Sequence, residues 1–72
     1  MVNIELLKQE IEDVGIPKTV LAEKCKMTRQ TLDNKINNPK TITADDACNL
    51  AMAMRITDTD KLLSIFFAKE VE

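Results

Sequence analysis

The chain has 72 residues, of which 44% are hydrophobic and 3% aromatic, and its formal net charge is -2. A chain of this length has room for one domain with a small core, since it buries only about 60% of the surface that its unfolded form exposes. No apolar stretch approaches the roughly 20 residues needed to cross a bilayer, and the N-terminus lacks a basic segment leading into an apolar one. We therefore expect a soluble cytoplasmic protein with no membrane partner.

Histidine is absent, and the two cysteines, Cys25 and Cys48, are far apart in the chain. This composition removes the CxxC redox motif, the usual zinc sites and any Ser/His or Cys/His nucleophile pair. We expect no enzyme activity, no metal or other cofactor, and no small-molecule substrate. Both cysteines fall on apolar faces of predicted helices and are interpreted as core thiols. A disulfide between them is the alternative that a reducing cytosol disfavours.

Two amphipathic segments open the chain. The first helix is predicted over residues 3–14, capped by Asn3 and ended by Gly15, with an apolar stripe of Ile4, Leu7, Ile11 and Val14. The second is predicted over residues 17–25, where Pro17 suits a first helical turn and the apolar set is Val20, Leu21 and Cys25.

Three more helices follow. The third covers residues 28–37, with Thr28 as its cap, Leu32 and Ile36 on one face, and "NNP" closing it. The fourth covers residues 44–55, where Thr43 and Asp46 resemble a capping box and the inner face is Ala47, Leu50, Ala51 and Met54. The fifth covers residues 58–66, capped by Asp58 or Thr57 and packed through Leu62, Leu63, Ile65 and Phe66. "AKEVE" is expected to fray. The pattern predicts an all-α single domain of five short helices.

The methionines and the two adjacent phenylalanines also bear on the composition of the core. Met27, Met52 and Met54 are predicted to fill gaps in the core. The adjacent Phe66 and Phe67 cannot both face one core from one helix. Either one of them is exposed as a dimer or partner contact, or the chain leaves the helix there and buries both.

The second and third helices are joined by a turn so short that they can cross closely only with a small residue at the contact, which is the role predicted for Ala22. Leu21, Cys25, Met27, Leu32 and Ile36 then fill the surrounding core, and Arg29, Gln30, Asp33 and Asn34 point outward near the start of the third helix. Arginine matches guanine edges and Gln or Asn matches adenine edges in the major groove, at about 1 to 3 kcal/mol of discrimination per pair. These exposed residue types are what a base-reading surface needs.

The stretch from residue 21 to residue 36 resembles the helix-turn-helix of the lambda and Cro repressor-like family, in particular the small regulators of temperate-phage genetic switches. The resemblance covers most of the chain and rests on "LAEK", the apolar Met27, the cap Thr28 and "RQTL". It implies a non-catalytic regulator of operator DNA, with two copies on the half-sites of a palindrome. It also implies base-facing or groove-entry positions at Thr28, Arg29, Gln30 and Asn34, and phosphate contacts at Lys18, Lys35 and Lys40.

The chain departs from that family at two positions. Lys26 stands where the family usually has glycine in the turn, and a left-handed backbone there costs a non-glycine residue roughly 1 to 2 kcal/mol. Pro17 stands where a Ser or Thr cap often precedes the second helix, so that helix end lacks a side-chain cap. The second departure weakens the presentation of backbone amides to a phosphate.

Positive charge is concentrated in this motif. Residues 17–42 carry six basic and two acidic side chains, a net of +4, whereas residues 1–16 and 43–72 each have a net of -3. Phosphate neutralisation is the main sequence-independent source of DNA affinity, so a local +4 fits DNA binding, although most such domains are basic overall. Three explanations are open: dimerisation doubles the basic face, a partner supplies the missing DNA affinity, or DNA is not the principal target.

The second hypothesis is therefore an anti-repressor or modulator that binds the cognate phage repressor and has little DNA affinity alone. An acidic scaffold bearing Glu5, Glu12, Asp13, Asp45 and Asp46 could dock on the basic DNA-reading face of a repressor. Phe66 and Phe67 are further candidate partner contacts. Both hypotheses place the protein in the cytoplasm of a bacterial host cell.

Overall fold

The structure is a computed structural model that describes residues 2–67. It contains five α-helices: α1 (Ile4–Val14), α2 (Lys18–Lys24), α3 (Arg29–Asn37), α4 (Ala44–Ala53) and α5 (Thr59–Phe66). A single 3-10 turn, Pro39–Thr41, connects α3 to α4. No strand occurs within residues 2–67, which confirms the predicted all-α class with five helices.

The predicted caps account for where the helices begin. The side chains of Asn3 and Thr28 each accept a hydrogen bond at 3.1 Å, from the N–H of Leu6 and Thr31 respectively. Thr43 and Asp46 form the predicted capping box, in which each side chain accepts from the other residue's backbone N–H. Of the two residues predicted to cap α5, Asp58 does so. These side chains satisfy N–H groups that have no partner within the helix.

The start of α2 differs from the other helix starts. Pro17 is its cap residue rather than part of its first turn, and it supplies no side-chain hydrogen bond. Its φ of -57° and ψ of 140° set an extended backbone from which the helix begins at Lys18. The predicted absence of a side-chain cap at this helix end is confirmed.

Two helices are followed by a non-glycine residue whose backbone is in the left-handed region. After α2, Lys26 has φ 59°, and the N–H of Met27 donates back to the carbonyl of Ala22 at 3.0 Å. After α4, Arg55 has φ 55°, and the N–H of Ile56 donates to the carbonyl of Ala51 at 3.0 Å. This hydrogen bond, from an N–H to the carbonyl five residues earlier, characterises the Schellman motif at a helix C-terminus. The left-handed position of that motif is most often glycine. It also explains why α4 stops at Ala53, two residues before its predicted end.

The core draws on all five helices. Leu7, Leu21, Leu32 and Leu50 are its largest fully buried side chains, one from each of the first four helices, and α5 adds Ile65 and Phe66. Helix α2 packs against α3 and α4, while α1 packs against α5. The N–H of Asn3 donates to the carbonyl of Ile65 at 2.7 Å, which ties the start of α1 to α5. The predicted inner face of α4 is confirmed.

Four residues predicted to lie in the core are exposed instead. Met52 is 73% exposed, and Val20, Leu63 and Cys48 also face out. Each lies one or two positions from a buried residue, but its own position around the helix turns its side chain away from the core. Cys25 is buried as predicted, and Met27 and Leu62 are partly buried.

The question left open at the two phenylalanines is resolved. Phe66 is buried, and Phe67 is 53% exposed just after the last residue of α5. Phe67 is therefore the exposed member of the pair, and its contact with a second copy or a partner stays a prediction, while Phe66 is unable to contact a partner from inside the core. The predicted fraying of residues 68–72 lies outside the described residues. Within the described part of the chain, no helix is both long and apolar enough to span a membrane.

Candidate nucleic-acid interface

Helix α2 packs against α3, and Ala22 on α2 is 1% exposed. Leu21 on the same helix and Leu32 on α3 are buried beside it in one core cluster. The Ala22 carbonyl accepts hydrogen bonds from the backbone N–H groups of Cys25 and Met27, both at 3.0 Å, so the turn folds back over this residue. A larger side chain at this position would separate the two helices, which supports the predicted role of Ala22.

The start of α3 presents polar side chains outward. Arg29, Gln30 and Asn34 are all exposed, while Leu32 and Ile36 on the opposite face are buried. Positions 29, 30, 33 and 34 lie on one side of a helix because successive turns repeat every 3.6 residues. The structure thus brings together three of the predicted base-reading residues on one rigid element.

Thr28 is used at the helix start itself. Its hydroxyl oxygen accepts from the N–H of Thr31 and its hydroxyl donates to the Thr31 hydroxyl at 2.9 Å. The hydroxyl therefore uses its one proton and one of its two acceptor lone pairs within the first turn of α3. Its predicted contact at a groove entry stays a prediction, and it would have to coexist with these two bonds.

Asp33 faces the same surface and contacts two of its cations. Oδ1 of Asp33 lies 3.6 Å from Lys18 Nζ, at the start of α2. Oδ2 lies 3.7 Å from Arg29 Nε, one turn earlier on α3. All three side chains are well exposed, so each pair contributes no more than about 1 kcal/mol to stability. The arrangement nevertheless joins a predicted phosphate contact and a predicted base contact through one carboxylate.

Lys35 occupies a different environment from the other lysines of the motif. Its Nζ lies 2.8 Å from Asp46 Oδ2 on α4, and it donates a hydrogen bond to the carbonyl of Thr41 at 3.1 Å. Burial acts to raise the pKa of Asp46, but hydrogen bonds from Lys35 and Thr43 and the charge of Lys35 outweigh it and hold that pKa below its ordinary value. Lys35 thus links the end of α3 to the start of α4, and a phosphate would have to compete with this ion pair.

Lys40 is exposed on the 3-10 turn, and no ion pair within residues 2–67 involves it. With Lys18 and Arg29 it makes up the cationic part of the predicted interface, against the one carboxylate of Asp33. Lys24 and Lys26 are also exposed in this part of the chain. The interface carries a small positive charge, which agrees with the thin electrostatic footprint expected from the sequence.

The residues predicted to contact a protein partner divide into two groups. Glu5, Glu12 and Asp13 are exposed on α1, as is Asp45 at the start of α4. Asp46 is paired with Lys35, so its charge is already matched. The sequence reasoning did not assign Glu10, which is buried and lies 3.3 Å from Lys61 Nζ.

An apolar surface lies between α4 and Phe67. Two grooves, of about 530 Å³ and 310 Å³, meet there and share Ala44, Ala47 and Phe67 as lining residues. Met52 and Cys48 line the smaller groove. The sequence reasoning missed this surface, although Met52 is out of phase with the buried positions 47, 50, 51 and 54 and could have been placed outside on that ground.

Cys25 is a buried free cysteine in the part of the chain that the structure describes. Burial raises the pKa of the Cys25 thiol, and the charge of Asp46 raises it further, so this sulfur is held in its unreactive protonated form. Among residues 2–67, no three potential ligands of the His, Cys, Asp or Glu type come together.

No protein-family model matches the chain, and no curated protein or solved structure matches it either.

Proposed function

We propose that this protein is a DNA-binding transcriptional regulator of a phage-type genetic switch, and that it reads operator DNA through α3. The observation that carries the proposal is the exposure of Arg29, Gln30 and Asn34 on one face of a helix whose opposite face is locked in the core. Their side chains match the donor and acceptor patterns of guanine and adenine edges. The helix cap at Thr28 and the close contact at Ala22 hold this face in one orientation.

Phosphate contacts come in this proposal from Lys18, whose Nζ lies 3.6 Å from Asp33 of α3, and from Lys40, which is exposed on the 3-10 turn that follows α3. They fix the register on the duplex without carrying sequence information. The local positive charge is modest, so two copies are expected to bind together, one on each half-site of a palindromic operator. Acting on operator DNA, the protein belongs in the cytoplasm of the bacterial host, without a cofactor and without catalysis.

The test begins with selection of bound duplexes from a pool with a randomised centre, followed by titration of the selected duplex by fluorescence anisotropy. Arg29→Ala is expected to reduce the preference for the selected duplex over a scrambled one by about 10- to 100-fold, the value of one bidentate base contact. Lys18→Ala and Lys40→Ala are expected to weaken both duplexes alike and to reduce the salt slope by about 1 each.

Arg55→Gly is the matched control, because it removes one exposed positive charge from the turn between α4 and α5, and glycine suits the left-handed backbone at that position. It is expected to leave both affinities within about twofold of the wild-type values, because this turn carries none of the proposed DNA contacts. Failure of the wild-type protein to select any duplex at low salt contradicts the proposal. So does an Arg29→Ala variant with unchanged preference.

The second candidate function, binding of the cognate repressor protein, is supported by a separate observation. Phe67 and Met52 are large apolar side chains exposed beside the two grooves along α4. Exposed apolar patches of this kind often mark protein interaction sites. The acidic residues Glu5, Glu12 and Asp13 on α1 offer a second mode, in which charge attracts the basic face of a repressor.

Calorimetric titration with the repressor encoded in the same switch separates these modes. Phe67→Ser is expected to abolish an apolar contact at any salt concentration, whereas a charge-driven contact weakens as salt rises and is lost in a Glu5→Gln/Glu12→Gln variant. A stable complex together with no DNA affinity of the protein alone favours the modulator over the operator-binding regulator. No complex with the repressor contradicts the second candidate.

A further inference from the structure

Asp33 is the one acidic residue of α3, and the structure places it on the base-reading face rather than away from it. Its two oxygens contact different cations, Lys18 at 3.6 Å and Arg29 at 3.7 Å. These are charge contacts at a distance longer than a hydrogen bond. A nucleic-acid interface that served affinity alone would have no use for a carboxylate at this place, since it repels phosphate and matches part of the local positive charge.

The contact with Arg29 has a particular geometry. The carboxylate approaches the guanidinium through Nε, the nitrogen nearest the main chain. The two terminal amino groups stay available, and these form the fork that donates in parallel to O6 and N7 of guanine. A long arginine side chain otherwise has many rotamers, and an i,i+4 partner restricts them.

The contact with Lys18 affects a second function of the surface. Lys18 lies at the start of α2, so its pairing with Asp33 joins the predicted phosphate contact to α3. Phosphate groups of any DNA sequence compete with Asp33 for both Lys18 and Arg29. A DNA sequence compensates for the loss of these charge contacts only if its bases also accept hydrogen bonds from the terminal amino groups of Arg29.

We propose that Asp33 is a specificity-determining positioning residue. It orients Arg29 for guanine and, by pairing with Lys18 and Arg29, lowers the affinity for DNA of unrelated sequence. This role rests on the proposed function, because it has no meaning without DNA binding. It goes further in assigning base discrimination to an acidic residue that need not touch DNA itself.

The experiment compares wild-type protein, Asp33→Asn and Asp60→Asn on two probes: the duplex selected by the wild-type protein and a scrambled duplex of the same composition. Asp60→Asn is the matched control, because it makes the same chemical change at an exposed position in the first turn of α5. Anisotropy titrations at three salt concentrations give the affinities, the ratio between the two probes and the salt slopes.

Asp33→Asn is expected to bind the scrambled duplex about 3- to 10-fold more tightly at low salt and to steepen its salt slope by about 1, as one further phosphate is neutralised. The ratio between the selected and scrambled duplexes is expected to fall by about fivefold or more as Arg29 loses its partner. Asp60→Asn is expected to leave the ratio unchanged. In the free protein, the nitrogen resonance of Arg29 Nε is expected to shift in Asp33→Asn and to stay in place in Asp60→Asn.

Three outcomes overturn the inference in distinguishable ways. A wild-type protein that binds neither probe removes the proposed function and this role with it. A wild-type protein with an Arg29-dependent preference, together with an unchanged ratio in Asp33→Asn, leaves the proposed function standing and refutes the role of Asp33. Equal weakening on both probes, accompanied by a lower unfolding midpoint, shows a purely structural role and also refutes it.

Discussion

Lys35→Met tests the ion pair that joins α3 to α4. In the folded protein, Lys35 Nζ lies 2.8 Å from Asp46 Oδ2 and 3.1 Å from the Thr41 carbonyl, and the two charged side chains are only 22% and 16% exposed. Methionine keeps the length and the apolar stem of the lysine but removes its charge. The substitution therefore leaves a half-buried carboxylate without its cation at the start of α4.

Coulomb's law gives about 6 kcal/mol for two unit charges at this separation with an effective dielectric constant near 20. Desolvation of both groups offsets most of that attraction. Exposed pairs contribute about 0 to 1 kcal/mol, and removal of one partner of a fully buried pair costs about 3 to 5 kcal/mol. The intermediate burial of this pair places the expected loss near 2 kcal/mol, a large part of the roughly 4 to 11 kcal/mol that a domain of this size commonly has.

The pH dependence provides an independent check. The pKa of Asp46 lies below its ordinary value of 3.8 in the folded protein, so its ionised form stabilises the fold. That stabilisation is complete above the ordinary value and is lost as the pH falls through the lowered folded pKa. The difference between wild-type protein and Lys35→Met is expected to be constant from about pH 7 to pH 5 and to narrow in stronger acid.

Urea unfolding followed by circular dichroism measures these differences, and Lys8→Met serves as the matched control because Lys8 is exposed on α1. The control is expected to stay within about 0.5 kcal/mol of wild type, as surface substitutions commonly do. A Lys35→Met variant as stable as the control at pH 7 refutes the energetic reasoning. A difference that persists undiminished in strong acid refutes the assignment to Asp46.

Four further substitutions test the ends of α2 and α4, the start of α3 and the contact between α2 and α3 by urea unfolding. Lys26→Gly and Arg55→Gly are each expected to stabilise the folded protein by about 0.5 to 1 kcal/mol. The reason is that removal of roughly 1 to 2 kcal/mol of left-handed backbone strain exceeds the entropy that glycine adds to the unfolded chain. A loss of stability contradicts the observed φ angles. Thr28→Ala is expected to cost about 1 kcal/mol as the cap of α3 is lost, and a neutral effect argues against that cap. Ala22→Leu is expected to cost about 1 to 3 kcal/mol through overpacking, whereas an unchanged midpoint shows that the two helices are not in close contact there.

The helix starts were predictable because their signals are local. Asn3, Thr28, Thr43 and Asp58 cap as predicted, since a cap needs only a short polar side chain and backbone N–H groups two or three residues later. The outward direction of Arg29, Gln30 and Asn34 followed in the same way from helical periodicity and the buried positions of Leu32 and Ile36.

The exposed apolar residues were placed wrongly because hydrophobicity was followed without helical phase, which alone would have put Met52 outside. Met52, Val20 and Leu63 have the hydrophobicity of core residues, and each lies within two positions of a buried residue. Which of two adjacent apolar side chains faces the core depends on the rotation of its helix against the others. That rotation is a property of packing over the whole domain, and hydrophobicity alone does not report it.

The sequence by itself determined the five helices and their caps, along with the concentration of positive charge in residues 17–42, because these depend on interactions within a few residues of each other. The tertiary structure alone decided that Lys35 pairs with Asp46 across two helices and that Asp33 lies between Lys18 and Arg29. The physical reason is distance along the chain. Lys35 and Asp46 are on separate helices, as are Lys18 and Asp33, and only the packing of those helices brings their charges within reach of each other.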